Sequence, residues 1–292
     1  MIRLIFGCLL ALTLNSGQEL PRPRIVGLAH ISLYAHEMDS AKRFYGEYLG
    51  FAQPFSLPNM LFFKVNDRQF IEVAPEKEVA TDRLSHYAVE VEDAEAMRGY
   101  LASKGVAVPA QVPKGRIGNL NFMIHDPEGR AIEIVQYPAD GLTAKTRSQF
   151  MPAARVSTHM RHVGFVVTNL DAEMKFYVEV LGFREFWRGS SNGTTLSWIN
   201  MKLPDSEDYV EFMLYKDAPA PDKRGSANHL CLLVDDVTAS KTALKAKNET
   251  RIGVNRKRQL NLFDDDGTRT ELMEPTTVDG KAAASLSAPP PQ

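Results

Sequence analysis

The chain has 292 residues, with 34 lysine and arginine against 36 aspartate and glutamate, a net charge of −2. Hydrophobic residues at 44% and charged ones at 24% exclude a disordered or collagen-like chain. Near-neutral charge argues against nucleic acid as the main partner, because phosphate binding needs a basic face. Two cysteines, Cys8 and Cys231, make no disulfide framework.

The start reads as an export signal over residues 1–17. Arg3 is the positive end, Leu4 to Leu14 the apolar run, and Ser16-Gly17 the small residues before cleavage. A buried N-terminal strand, and with it a cytoplasmic protein, is the alternative. No later apolar run approaches the ~20 residues needed to span a bilayer, so no integral membrane span is expected. Strand alternation follows over Val26–Tyr34, then a short helix over Ser40–Tyr48 with Asp39 or Ser40 as cap. Leu61–Val65 and Gln69–Ala74 read as strands joined at Asn66-Asp67. The pattern restarts with strand Leu84–Val91, helix Ala94–Lys104, a stop at Gly105, and strands Asn119–Ile124 and Ala131–Tyr137 around an Asp126-Pro127-Glu128-Gly129 turn.

A second copy begins beyond a linker over 139–157. HISLYAHEMDSAKRFYGEYLGF from His30 recurs as HVGFVVTNLDAEMKFYVEVLGF from His162, and DPEGRAIEI from Asp126 recurs as DDDGTRTEL from Asp264. Strands are expected at 161–168, 194–201, 208–215 and 229–234, helices at 171–180 and 237–247, then two final strands. The chain thus holds one module over 25–138 and another over 158–275, each reading as two βαβββ units. The tail 276–292, ending AAASLSAPPPQ, is expected to be disordered.

Side chains on a strand alternate between faces. In the first strand Ala29, Ile31 and Leu33 share one side; Leu28, His30, Ser32 and Tyr34 share the other. Both modules carry His, Glu, His, Glu on strands in that order: His30, Glu72, His86, Glu133 and His162, Glu211, His229, Glu271. A strand histidine or glutamate taken singly is ordinarily a solvent-facing or hydrogen-bonded residue. Eight recurring in one order point elsewhere. If the strands curl into a cup, inward carboxylates are costly without a partner, and a divalent metal offsets the cost. Two imidazoles with two carboxylates suit Fe, Mn, Ni, Co or Zn.

At these residues the chain resembles the vicinal oxygen chelate superfamily, which includes glyoxalase I, the bleomycin-resistance proteins and the extradiol dioxygenases. The opening motif is the specific part: histidine, alternating apolars, Phe-Tyr on a short helix, then Leu-Gly-Phe. A second motif, His86-x-Ala88 and His229-x-Cys231, is looser.

The resemblance implies an α+β fold, tandem paired βαβββ units forming open mixed-sheet cups around a metal. It maps the ligands onto the eight residues above, with Glu133 or Glu271 as the catalytic base. Cups formed within one module or by exchanging halves both satisfy it. It implies a metal-dependent lyase or isomerase acting on a small molecule with adjacent oxygens, a non-catechol Fe(II) dioxygenase, or a binding protein of the resistance type, as a monomer or homodimer. Tyr34 and Val166 stand where bacterial glyoxalase I carries a glutathione-binding arginine. Met123 and Asn261 stand where extradiol dioxygenases carry a tyrosine. Tyr34 and Tyr137 are candidates to line the cup.

Overall fold

A computed structural model describes residues 20–78 and 80–292. The expected signal segment, with Cys8, lies outside the described residues. Module 1 contains β1 (Ile25–Ala35), α1 (Met38–Ala41) running into a π-helical turn (Lys42–Tyr48), β2 (Ser56–Leu57), β3 (Met60–Lys64), β4 (Phe70–Pro75), β5 (Leu84–Val91), α2 (Ala94–Ser103), β6 (Leu120–His125) and β7 (Ala131–Gln136). After α3 (Leu142–Lys145), module 2 contains β8 (His159–Val167), α4 (Leu170–Lys175) with a π-helical turn (Phe176–Val180), β9 (Arg184–Gly189), β10 (Trp198–Lys202) and β11 (Tyr209–Leu214). It ends with β12 (His229–Leu233), α5 (Val237–Leu244), β13 (Thr250–Ile252), β14 (Lys257–Phe263) and β15 (Arg269–Thr277).

Each module forms one curled mixed sheet, ordered β2-β3-β4-β1-β5-β7-β6 in the first and β13-β14-β15-β12-β8-β11-β10-β9 in the second. The central strands pair parallel on one side and antiparallel on the other: β1 with β4 and β5, β8 with β11 and β12. The repeated motifs account for local structure. Asp93 and Asp236 cap α2 and α5 by accepting from the N–H groups of Ala96 and Ala239 at 2.9 Å. Asp126 accepts from the Arg130 N–H at 2.8 Å and Asp264 from the Thr268 N–H at 2.8 Å, closing two equivalent turns. Gly129 and Gly267 sit in those turns at φ 82° and 79°, a left-handed conformation open to glycine.

The modules pack across a pseudo-twofold arrangement. The Tyr45 hydroxyl donates to Asp264 at 2.9 Å; the equivalent Tyr177 hydroxyl reaches Asp126 at 3.5 Å. Tyr87 donates to Tyr177 at 2.9 Å, and the Arg130 guanidinium lies over the Phe165 ring. One apolar core spans both modules, from Ile31, Tyr45 and Phe63 to Phe165, Tyr177 and Phe212. Neither sheet therefore covers its inner helical face alone.

Three sequence expectations change. A bulge between Leu28 and His30 shifts the β1–β5 register, so Leu28 joins the core with Ile31 and Leu33 while Ala29 packs with Ala88 and Val135. The connecting segment 139–157 packs on module 1: buried Lys64 donates to Asp67 at 2.7 Å and to the carbonyls of Thr146 and Gln149 at 2.5 and 3.0 Å. The tail beyond Thr277 has no helix or strand, yet Leu286 N–H donates to the Arg188 carbonyl and Leu196 N–H to that of Pro289, so it runs along β9 and β10. No described helix is long and apolar enough to cross a membrane.

Glu173 is fully buried at the module interface, and its Oε2 has no partner. Burial, reinforced by Asp126, pushes its carboxyl up to about 8 from 4.5. The folded state thus keeps a proton that the unfolded chain loses, and stability falls as pH rises through this window. Glu173→Gln is expected to gain Tm over wild type progressively between about pH 5 and pH 8; parallel Tm profiles would contradict this. Lys64→Met removes the cation that ties Asp67 to the Thr146 and Gln149 carbonyls. Hydrogen exchange should then accelerate at Lys145, Thr146 and Gln149 while the sheet amides stay protected. Unchanged exchange at those three amides would show that Lys64 does not hold the segment.

Candidate metal centres

Each His–Glu set assembles within one module. In module 1, β1 carries His30; His86 on β5 stands opposite Ser32, and Glu72 on β4 pairs with the same Ser32. Glu133 on β7 stands beside Ala88. His30 Nε2 and His86 Nε2 are 3.1 Å apart, and Glu133 Oε2 lies 3.5 and 3.2 Å from them. Asn121 donates to Glu133 Oε1 at 2.8 Å and fixes the carboxylate. Glu72 departs from the expected fourth place. Its Oε1 meets Nδ1 of His30 at 3.6 Å, and the tight cluster holds only His30, His86 and Glu133. A carboxylate behind a ligand imidazole orients the ring and raises its basicity. Burial would lower the His30 pKa, but Glu72 and Glu133 outweigh it and raise it to about 9. Burial likewise opposes ionisation of Glu133, and the two imidazoles overcome it.

In module 2 the four donors converge more fully. His162 Nε2 and His229 Nε2 are 3.1 Å apart. Glu271 Oε2 lies 3.6 and 3.5 Å from them, and Glu211 Oε2 4.0 and 3.6 Å. Burial, then Glu271, pushes Glu211 up to about 8. Glu271 is held at about 2, burial being overcome chiefly by His229 and His162. Burial lowers both imidazoles, and Arg269 adds to this at His229.

These donor sets fit a divalent cation. Two imidazoles meeting through Nε2 at 3.1 Å leave room for one shared hydrogen, and the buried carboxylates beside them are stabilised by positive charge. An ion satisfies all of these at once. His162 Nδ1 and Glu271 Oε1 are buried without a partner.

Each set opens into a cavity. That of module 1, about 190 Å³, is lined by Phe62, Arg116, Asn119, Asn121 and Met123 besides the four candidates. That of module 2, about 230 Å³, is lined by Trp187, Trp198, Met213, Arg251 and Arg269 with His162, Glu211 and Glu271. Tyr34 and Tyr137 line neither; Tyr137 packs on Ala29, Ala88 and Val135 and donates to the Arg68 carbonyl at 3.1 Å.

Four residues escaped the sequence reading. Gly164 leaves room for the His229 ring, since a Cβ there would stand 2.0 Å from its Cε1. A glycine inside an otherwise apolar strand was the available signal. Asn121, Arg251 and Arg269 carried no spacing signal, because strand curvature brings them to the cavities.

Two family models match the chain, over residues 27–134 and 161–261, both described as the Glyoxalase/Bleomycin resistance protein/Dioxygenase superfamily. No curated protein sequence matches significantly. Among solved structures, the Mn(II)-bound glyoxalase from Novosphingobium aromaticivorans is 16% identical with a TM-score of 0.67, over 92% of this chain and 87% of that one. The 2,3-dioxygenase LapB from Pseudomonas sp. KL28 is 16% identical at 0.68, over 87% and 93%. An extradiol ring-cleaving dioxygenase from B. fuscum is 17% identical at 0.67, over 92% and 77%. At these identities the solved structures speak for the fold alone. The two matched segments, the tandem sheets and the converging donors place the chain in the Glyoxalase/Bleomycin resistance protein/Dioxygenase superfamily, as a protein with two such modules.

Proposed function

We propose that the chain is a divalent-metal-dependent enzyme that moves a proton in a small substrate with adjacent oxygens, as a lyase or isomerase, with module 2 as the reaction centre. The observation that carries this is the meeting of two imidazoles and two carboxylates at the floor of a cavity walled by Trp187 and Trp198. When bound there by His162, Glu211, His229 and Glu271, the ion supplies Lewis acidity to a substrate oxygen.

The remaining steps belong to side chains. Trp187, Trp198 and Met213 exclude water from the floor of the cup, which strengthens every charge interaction inside. Arg251 and Arg269 bring positive charge to the wall and favour an anionic substrate group or a developing oxyanion. Glu271 takes the proton from one carbon and returns it to the next.

A second reading has its own observation. The tight cluster in module 1 is two histidines and one carboxylate, the donor set of non-haem Fe(II) oxygenases; module 2 repeats that triad in His162, Glu211 and His229 but adds Glu271 to it. This favours oxygen chemistry in module 1.

Two outcomes test these readings. With Mn(II) or Zn(II) supplied, the chain is expected to catalyse deuterium exchange from solvent into small α-hydroxycarbonyl compounds. Glu271→Gln should lower that rate by roughly 10²–10⁴-fold. Absence of exchange from a metal-loaded chain across such substrates would sink the lyase reading and leave a binding cup. The oxygenase reading expects oxygen uptake from the Fe(II)-loaded chain with substrates bearing adjacent oxygens, abolished by His86→Ala and retained in His229→Ala. Uptake lost with His229→Ala alone would move that chemistry out of module 1.

A further inference from the structure

The two centres differ at one register position. Cys231 on β12 is the direct partner of His162 on β8 and of Glu271 on β15. Since β12 lies between those strands, the three residues form a row across the sheet and share one face. The same row in module 1 is His30, Ala88, Glu133, and Ala88 offers no donor atom.

Distances agree with the register. One nitrogen of His162, the Cys231 sulfur and one Glu271 oxygen all lie within 4.8 Å of one another. Relative exposures are 2% for His162, 0% for Cys231 and 3% for Glu271. His162 Nδ1 and Glu271 Oε1 are orphaned polar atoms in this buried row. Cys231 is in no disulfide.

A further contact sets His229 apart. Its Nδ1 lies 2.8 Å from the Ala227 carbonyl and also 2.8 Å from Nη2 of Arg269. A guanidinium only donates. An Nδ1–H that donates to the Ala227 carbonyl leaves the Nε2 lone pair for a metal and sets the Arg269 guanidinium beside the ring as a competing donor. Module 1 has no such competitor: His86 Nδ1 faces the Ser85 hydroxyl at 3.1 Å, which can accept.

We propose that Cys231 joins His162 and Glu271 as a metal ligand, making module 2 a nitrogen–oxygen–sulfur site that selects Zn(II), while module 1 keeps nitrogen and oxygen donors only. The proposal rests on reading the cups as metal centres and adds the donor that decides which ion each takes. Thiolate suits Zn(II), which has no redox chemistry. Module 2 is then a Lewis-acid centre, and a redox-active ion belongs to module 1. The chain carries two different metals.

The test uses Co(II) as a spectroscopic probe in the full-length chain. Cys8→Ser leaves Cys231 as the sole thiol, and His86→Ala weakens module 1. Cobalt uptake is expected to bring a thiolate-to-cobalt charge-transfer band in the near ultraviolet. Cys231→Ala should abolish the band and weaken Zn(II) binding by more than roughly 100-fold, since outer partners alone are worth 10–100-fold. Ala88→Cys, placed in a chain with His86 intact, should add a second band from module 1. Cobalt bound with ligand-field bands but no charge-transfer band would overturn the thiolate site and leave the metal reading standing. So would an unchanged Zn(II) affinity in Cys231→Ala. No cobalt bound by the unaltered chain would overturn both. Should Cys231→Ala fail to fold, the band in the single-thiol chain decides.

Discussion

Both cups depend on one constraint: two imidazole nitrogens held 3.1 Å apart with carboxylates beside them, inside a sheet that excludes water. Such a cluster is unfavourable by itself, because lone pairs and negative charge face one another in a weak dielectric. The fold imposes it through register. His30 and His162 sit on the central strand of each sheet, and their partners come from the strands on both sides. A cation turns that cost into cohesion. This links the curled sheet to the chemistry, since the same curvature that brings the donors together makes the cavity above them.

The modules hold this geometry jointly. Tyr45 and Tyr177 each reach across to the aspartate turn of the other module, and the apolar residues beneath the sheets form one core. Two copies in one chain therefore supply a packing partner from within. They have also diverged at their centres. Glu72 meets Nδ1 of its histidine where Glu211 joins the convergence, and Ala88 stands where Cys231 does. The walls differ too, with Phe62 and Arg116 in one cup and two tryptophans and two arginines in the other.

Much of this was legible in the sequence. The repeat announced two modules, and alternation around each histidine and glutamate set them on strands. What was not legible depends on neighbours that periodicity does not encode. The bulge at Leu28–His30 moves Ala29 to the cup side, and one-dimensional alternation places it with the core. β9 escaped because Phe186 and Trp187 are adjacent aromatics, one exposed and one buried, so its alternation carries no contrast. The choice between cups within a module and cups made from exchanged halves is a matter of pairing across long loops. Glu72 is the clearest case: its strand and face follow from the sequence, but the His30 nitrogen it meets is a distance.

The most direct measurement is the metal content of the purified chain after reconstitution, by mass spectrometry, for wild type, Glu133→Ala, Glu271→Ala and the double variant. The account predicts two tightly held equivalents in wild type, about one in each single variant and none in the double variant. A wild-type chain that takes up no metal would contradict it, because both clusters would then be held together by protons and packing alone.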